Sequence, residues 1–278
     1  MRSALFVTVL ALAACDDSPP GSPVAGPRII AVLADSPTIA ADGTTRISAL
    51  TAIDGFPAPA DTVSWRACSP YALVVDPVRD CTGDTALALA VDGDGRGVLD
   101  AAVLASRFEV AVPHIPGADD PCGDQILPVT IVIEADVGGQ RLIAIKTVEI
   151  GVAPPVRTNP VVVHAVVDGV PVTDGAVLDG GRRYALGAEV DPASRDLVCV
   201  RDETMPTQRE SVEVYALAGG GAVVRGNDID VEDDEAGVTT VDPVELELPP
   251  GPATVPLWLV GIDRNGGVGV RFLVLDVR

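Results

Sequence analysis

Histidine is nearly missing from this chain. Its 278 residues include 2 His, and aromatic residues make up only 3%. Two histidines leave imidazole-based metal ligation and acid–base chemistry short of candidates. Lysine is scarcer still, with Lys146 alone, and 19 basic residues face 40 acidic ones for a net charge of −21. That charge repels nucleic-acid phosphates, which need a basic surface, so no nucleic-acid partner is expected. No run of 18 apolar residues occurs, so no membrane-spanning helix is expected in the mature protein. The motifs G-x-S-x-G, H-E-x-x-H and the P-loop are all missing. His114 lies in a Pro-bounded stretch, Val112–Pro116, and His164 in an apolar strand-like one. Each reads as a surface or satisfied histidine, not a general base. No catalytic residue and no cofactor are assigned, and a secreted hydrolase lacks its base.

The apolar fraction is 47%, with 28 Gly and 24 Pro, enough to bury a core in a chain of this length. The N-terminus is the most informative part. Arg2 is followed by a short apolar stretch, Ala4–Ala11, and then Leu12-Ala13-Ala14-Cys15. The stretch is too short to span a bilayer and has the length of a secretory signal's hydrophobic region. Leu12–Cys15 resembles the bacterial lipobox. That resemblance implies cleavage of residues 1–14 and a diacylglycerol thioether on Cys15, usually with N-acylation. Two or more acyl chains anchor a protein stably where one does not. The expected partner is therefore a membrane reached through lipid, with inner and outer membrane both open. Residues 15–27 are rich in Pro, Gly and Ser and read as a flexible tether reaching about 40 Å when extended.

The remainder reads as all-β. Arg28–Leu33, Thr45–Thr51 and Thr62–Arg66 are rich in β-formers, Gly, Pro and Asp punctuate them, and Val244–Leu248 alternates with its acids toward water. Asp100–Ala105 is the one helix-like stretch and looks poorly capped. Two hairpins echo each other at constant offset. Pro128 aligns with Pro256, and Gly138-Gly139 with Gly266-Gly267, each Gly-Gly offering the positive φ of a tight turn. This predicts two tandem immunoglobulin-like β-sandwiches, 28–150 and 161–278, joined by a linker at 151–160.

The pattern resembles the tandem Ig-like lipoproteins of myxobacteria and their relatives. The resemblance is carried by Val63–Cys68, Thr158-Asn159-Pro160, Arg209-Glu210-Ser211 and Val255–Val260. It implies a fold and an envelope location and brings no activity with it.

Besides Cys15 the chain has Cys68, Cys81, Cys122 and Cys199, which an exported protein would pair. Four cysteines permit three connectivities. Strand order in a sandwich favours Cys68–Cys81 around the loop after the Trp65 strand, and Cys122–Cys199 across the junction, with a swapped pairing still open. Asp92–Gly97 resembles the start of a calcium loop, but Arg96 replaces a ligand. Asp228–Glu235 is the densest acidic run, and Asp228, Asp230, Asp233 and Asp234 are its weak Ca²⁺ candidates. The leading expectation is a non-enzymatic, lipid-anchored envelope module binding an unidentified protein or glycan. The alternative is a Ca²⁺-dependent adhesion module using the acidic loops.

Overall fold

A computed structural model describes residues 24–70, 76–111, 126–151, 157–198, 208–226, 228–233 and 239–278. Cys15, His114, Cys122, Cys199 and Asp234 lie outside the described residues, and with them the lipidation site and the Cys122–Cys199 bridge.

The first half contributes β1 (Pro27–Ala34), β2 (Thr38–Ala40), β3 (Thr44–Ile53), β4 (Phe56–Pro57) and β5 (Thr62–Cys68). It continues with β6 (Ala86–Ala88), β7 (Ala90–Val91), β8 (Gly97–Asp100), β9 (Ile126–Val137) and β10 (Gln140–Gly151). The second half supplies β11 (Val162–Val167), β12 (Val170–Val172), β13 (Ala176–Leu178), β14 (Arg183–Val190), β15 (Leu197–Val198) and β16 (Gln208–Arg209). After these come β17 (Val212–Ala218), β18 (Val223–Arg225), β19 (Ile229–Asp233), β20 (Thr239–Val241), β21 (Val244–Glu247), β22 (Ala253–Asp263) and β23 (Val268–Val277).

Each half forms two facing sheets with one topology. In the first, β1-β3-β8-β7, with β4 also on β3, packs against β2-β10-β9-β5-β6; in the second, β11-β14-β21-β18, with β12 added at the β11 edge, packs against β13-β23-β22-β17-β19-β20. These orders are the ABED and GFC sheets of an immunoglobulin sandwich. The short β2 and β13 each run parallel to the last strand of their own unit, β10 and β23. The chain is thus all-β, built as two immunoglobulin-like sandwiches, and the repeat seen in the sequence is a repeat of topology.

Alternation sets the cores. Val129, Ile131, Ile133, Ala135 and Val137 of β9 all point inward and are fully buried or nearly so. Val129, Ile131 and Ile133 meet Trp65 of β5 and Ile47 and Leu99 of the facing sheet in one cluster. Trp65 fits because β8 offers Gly97: a Cβ there would lie 2.7 Å from the indole Cγ. The second core is aliphatic apart from Tyr184, with Leu186, Leu246, Leu257 and Leu273 among its members. Glu245 and Glu247 face outward as the alternation requires, paired with Arg183 and Arg225. Cys68 and Cys81 form a disulfide, Cα–Cα 5.2 Å, that packs on Val132.

Three expectations need correction. Helix Ala101–Phe108 is well capped, because the Asp100 carboxylate accepts the Val103 N–H at 3.0 Å and Glu109 ends it in the left-handed region. The two Gly-Gly turns are not alike. Gly138 and Gly139 both have positive φ and close a tight β9–β10 turn, whereas only Gly266 does in the second hairpin. Gly267 is there for space, since a Cβ would meet the Asp263 carboxylate and the Thr158 carbonyl. Finally, the last residues assigned to the tether belong to the folded body: Val24 is buried and β1 starts at Pro27.

Candidate binding surface at the junction of the sandwiches

The two sandwiches share a buried joint. It begins in β22, where Val255–Gly261 is buried at every position. A strand buried on both faces reads as a continuous apolar run. Leu257 and Leu259 enter the second core, while Trp258 and Val260 point out of it into a third cluster with Val24, Ile30, Ala31, Ala52 and Val268. Trp258 packs against Phe272 in a tilted pair, ring centroids 4.4 Å apart, and donates its indole N–H to the Gly55 carbonyl at 2.6 Å. That approach requires glycine on both sides. Gly55 has φ +86°, and a Cβ there would lie 2.8 Å from Pro256 and 2.9 Å from Gly219.

Polar contacts close the rim. Asn159 of the linker donates to the Ala34 carbonyl at 2.8 Å and accepts the Val268 N–H at 2.9 Å, so one side chain ties both sandwiches. The Val24 N–H reaches the Ala218 carbonyl at 2.8 Å, and the Gly26 N–H reaches Asp54 Oδ1 at 2.7 Å. Lys146, buried, sends its ammonium to the Gly266 carbonyl. Burial lowers the Lys146 pKa to about 8, opposed by the nearby Asp263 carboxylate.

Two depressions flank this joint. One, of ≈ 660 Å³, lies between Ile29 and Ile30 of β1, Leu142 and Ala144 of β10, and Leu217 and Ile262 of the second sandwich. The other, of ≈ 600 Å³, is bounded by Ser48–Thr51, Pro57–Val63 and Trp258. Both fall in the size range of ligand pockets. Beside the first, β10 pairs with β2 only at Glu149–Gly151, which leaves Gln140–Val148 without a strand partner on that edge among the described residues. Ile143 and Ile145 of that edge are exposed.

The predicted calcium candidates are only partly brought together. Asp228 and Asp230 meet Glu213, with one oxygen of each within 4.8 Å of the others, while Asp233 is described in its backbone alone. The Asp228 carboxyl is raised in pKa, first by burial and then by Asp230 and Glu213. Tyr215 donates its hydroxyl to Glu213 at 2.8 Å, which pushes the phenol up to about 12. Asp92–Gly97 is a hairpin turn. Asp92 Oδ1 accepts the N–H groups of Asp94 and Arg96, and the Arg96 guanidinium lies over the same carboxylates. His164 sits on β11 against Glu189 at 2.9 Å. The joint is what the sequence reading missed, and its signal was the unbroken apolar run in β22.

No family model matches the chain, and no curated protein matches it. Solved structures give loose likenesses. One is a 1.5-MDa bacterial ice-binding adhesin, at 11% identity and TM-score 0.24, covering 92% of this chain and 66% of that one. Another is the Yersinia pseudotuberculosis adhesin InvE, at 13% identity and TM-score 0.23, covering 88% and 58%. A third is a putative membrane anchored protein from Corynebacterium diphtheriae, at 10% identity and TM-score 0.24, covering 92% and 59%. The chain spans two thirds or less of each, and scores this low carry no argument. The fold class rests on the strand order itself. Among the described residues, no helix is long and apolar enough to cross a membrane.

Proposed function

We propose that this protein is a non-enzymatic cell-envelope lipoprotein that presents a two-sandwich binding module from a lipid on Cys15. The observation that carries the reading is the order of parts along the chain. A lipobox at Leu12–Cys15 is followed nine residues on by Val24, the first described residue, which is seated in the joint. The binding surface is the apolar groove at that joint with the open β10 edge beside it. An open edge next to alternating apolar positions suits an extended protein segment, added as one more strand, better than a glycan. Membership of the tandem Ig-like lipoproteins is part of the same proposal.

Fractionation of cells carrying Cys15→Ser tests the anchor: the variant leaves the membrane fraction or stays unprocessed, and a variant that remains membrane-bound and cut overturns it. A photo-crosslinking residue at Ile143 tests the surface. A discrete adduct with another envelope protein is expected, and its loss in Leu142→Asp with the melting temperature unchanged places the adduct in the groove. An adduct formed equally well by Leu142→Asp contradicts that surface.

A further inference from the structure

Both sandwiches bring turns to the end of the molecule where the described chain begins. The Val24 N–H bonds the Ala218 carbonyl at the end of β17, and Gly26 exchanges hydrogen bonds with Asp54 in the β3–β4 turn. The β9–β10 turn lies against the same segment, since a Cβ on Gly138 would sit 3.1 Å from Ile53 and 3.4 Å from Pro27. Gly55 abuts Gly219 in the turn after β17, and Gly221 is backed by Pro249, 3.6 Å from where a Cβ would lie. The Pro249 carbonyl accepts the Gly181 N–H at 3.0 Å, and the Gly180 N–H goes to the Arg278 carbonyl at 3.0 Å. Turns of both sandwiches thus form one continuous pole around Val24–Gly26. Its tips are mostly Gly and Pro, and the acids within these turns are already held. Asp54 accepts the Gly26 N–H, and Asp179 is paired with Arg182 at 3.3 Å and with Arg278 at 3.0 Å. Phe56, 41% exposed, follows Gly55 at the same pole. Strand β3 leads away from it for 10 residues, about 33 Å. At the far end the Gly43 carbonyl accepts the Ala101 N–H, which places the helix Ala101–Phe108 there with Val103 exposed.

We propose, building on the Cys15 anchor above, that this pole is a lipid-facing surface that rests on the headgroups of the bilayer holding the protein's own lipid, with Phe56 at the interface. Val24 lies nine residues after Cys15, a reach of at most about 30 Å. The pole where the chain enters is therefore held close to the bilayer, and the far end stands a strand length further out. Three properties let the pole settle there. Uncharged Gly and Pro tips enter the headgroup layer without the desolvation cost of a free carboxylate. An exposed aromatic ring gains by burial at that depth. The flanks, in contrast, carry acids such as Glu213, Asp228 and Asp230, in a chain with 40 acidic residues against 19 basic ones. An anionic leaflet repels them, which opposes a molecule lying on its side.

Tryptophan fluorescence of the chain purified from membranes, in vesicles of phosphatidylcholine and phosphatidylglycerol, tests this. Each sample is measured with plain lipids and with lipids brominated near the headgroup end of the acyl chains, after its acyl mass has been confirmed. The wild type, whose Trp65 and Trp258 are both 4% exposed, sets the background. Phe56→Trp is expected to lose most of its added emission in the brominated vesicles, and Val103→Trp, at the far end, to lose none. Pro252→Trp, exposed on the second sandwich's share of the pole, is expected to be quenched as Phe56→Trp is, and it decides alone where Phe56→Trp fails to fold. A folded pole variant that stays unquenched, or a Val103→Trp quenched equally, overturns the proposal and leaves the anchor standing. A mature chain without acyl mass overturns the anchor and the proposal with it.

Discussion

Trp258 shows how much one residue does in this molecule. Its side chain leaves the second core and fills the joint, so truncation opens a cavity between sandwiches and leaves that core intact. Trp258→Ala is expected to destabilise by about 3–5 kcal/mol, the usual range for a buried Trp, with urea denaturation as the readout. Trp258→Phe keeps a ring against Phe272 but strands the Gly55 carbonyl, which should destabilise by about 1–3 kcal/mol. An effect of Trp258→Ala below that of an exposed substitution would remove the joint from the account. Cys68 and Cys81, both fully buried, act at the same scale in the first sandwich. Their separation of 13 residues gives a loop whose closure is worth about 3 kcal/mol in the chain-entropy model. The Cys68→Ala/Cys81→Ala pair should lose about 2–4 kcal/mol in the same titration.

Single segments carry the next set of consequences. Asp100 is the last residue of β8 and also the cap of the helix that follows, so Asp100→Ala should cost about 1 kcal/mol in thermal unfolding. Asn159 is the only described residue of the linker whose side chain bonds both sandwiches. Asn159→Ala is expected to enlarge the radius of gyration while each sandwich keeps its own core. These elements also show what was legible in the chain and what was not. Strands β1, β3, β5, β9 and β10 could be read because alternation, β-branched residues and Gly-rich turns are local signals. The cap at Asp100 was equally local but was masked by a helix only two turns long. The Gly267 role was invisible, because the space it keeps is taken by the Asp263 carboxylate, folded back over the turn, and by the Thr158 carbonyl, far away in sequence. The same holds for Lys146 and Glu210. A lone lysine and a Glu before a strand carry no local signal of burial, and both are buried once the fold brings β10, the linker and the β22–β23 turn together. The run Val255–Val260 did announce strand burial on both faces, yet it named no partner for the outer one.

For the molecule as a whole, the net charge and the proposed lipid anchor carry the predictions. The net charge of −21 keeps copies apart and makes divalent cations a natural challenge. Glu213, Asp228 and Asp230 bring together three oxygens, one from each, where Ca²⁺ takes six to eight. Millimolar Ca²⁺ is therefore expected to leave the melting temperature unchanged; a rise of several degrees, abolished by Asp230→Asn, would favour the adhesion reading instead. The central claim is that this body hangs from a lipid. Intact-mass and N-terminal peptide measurement on protein purified from membranes tests it most directly. The account predicts a mature chain that begins at Cys15 and carries the mass of its acyl chains on that residue. A mature chain that begins elsewhere, or a Cys15 with a free thiol, would contradict it.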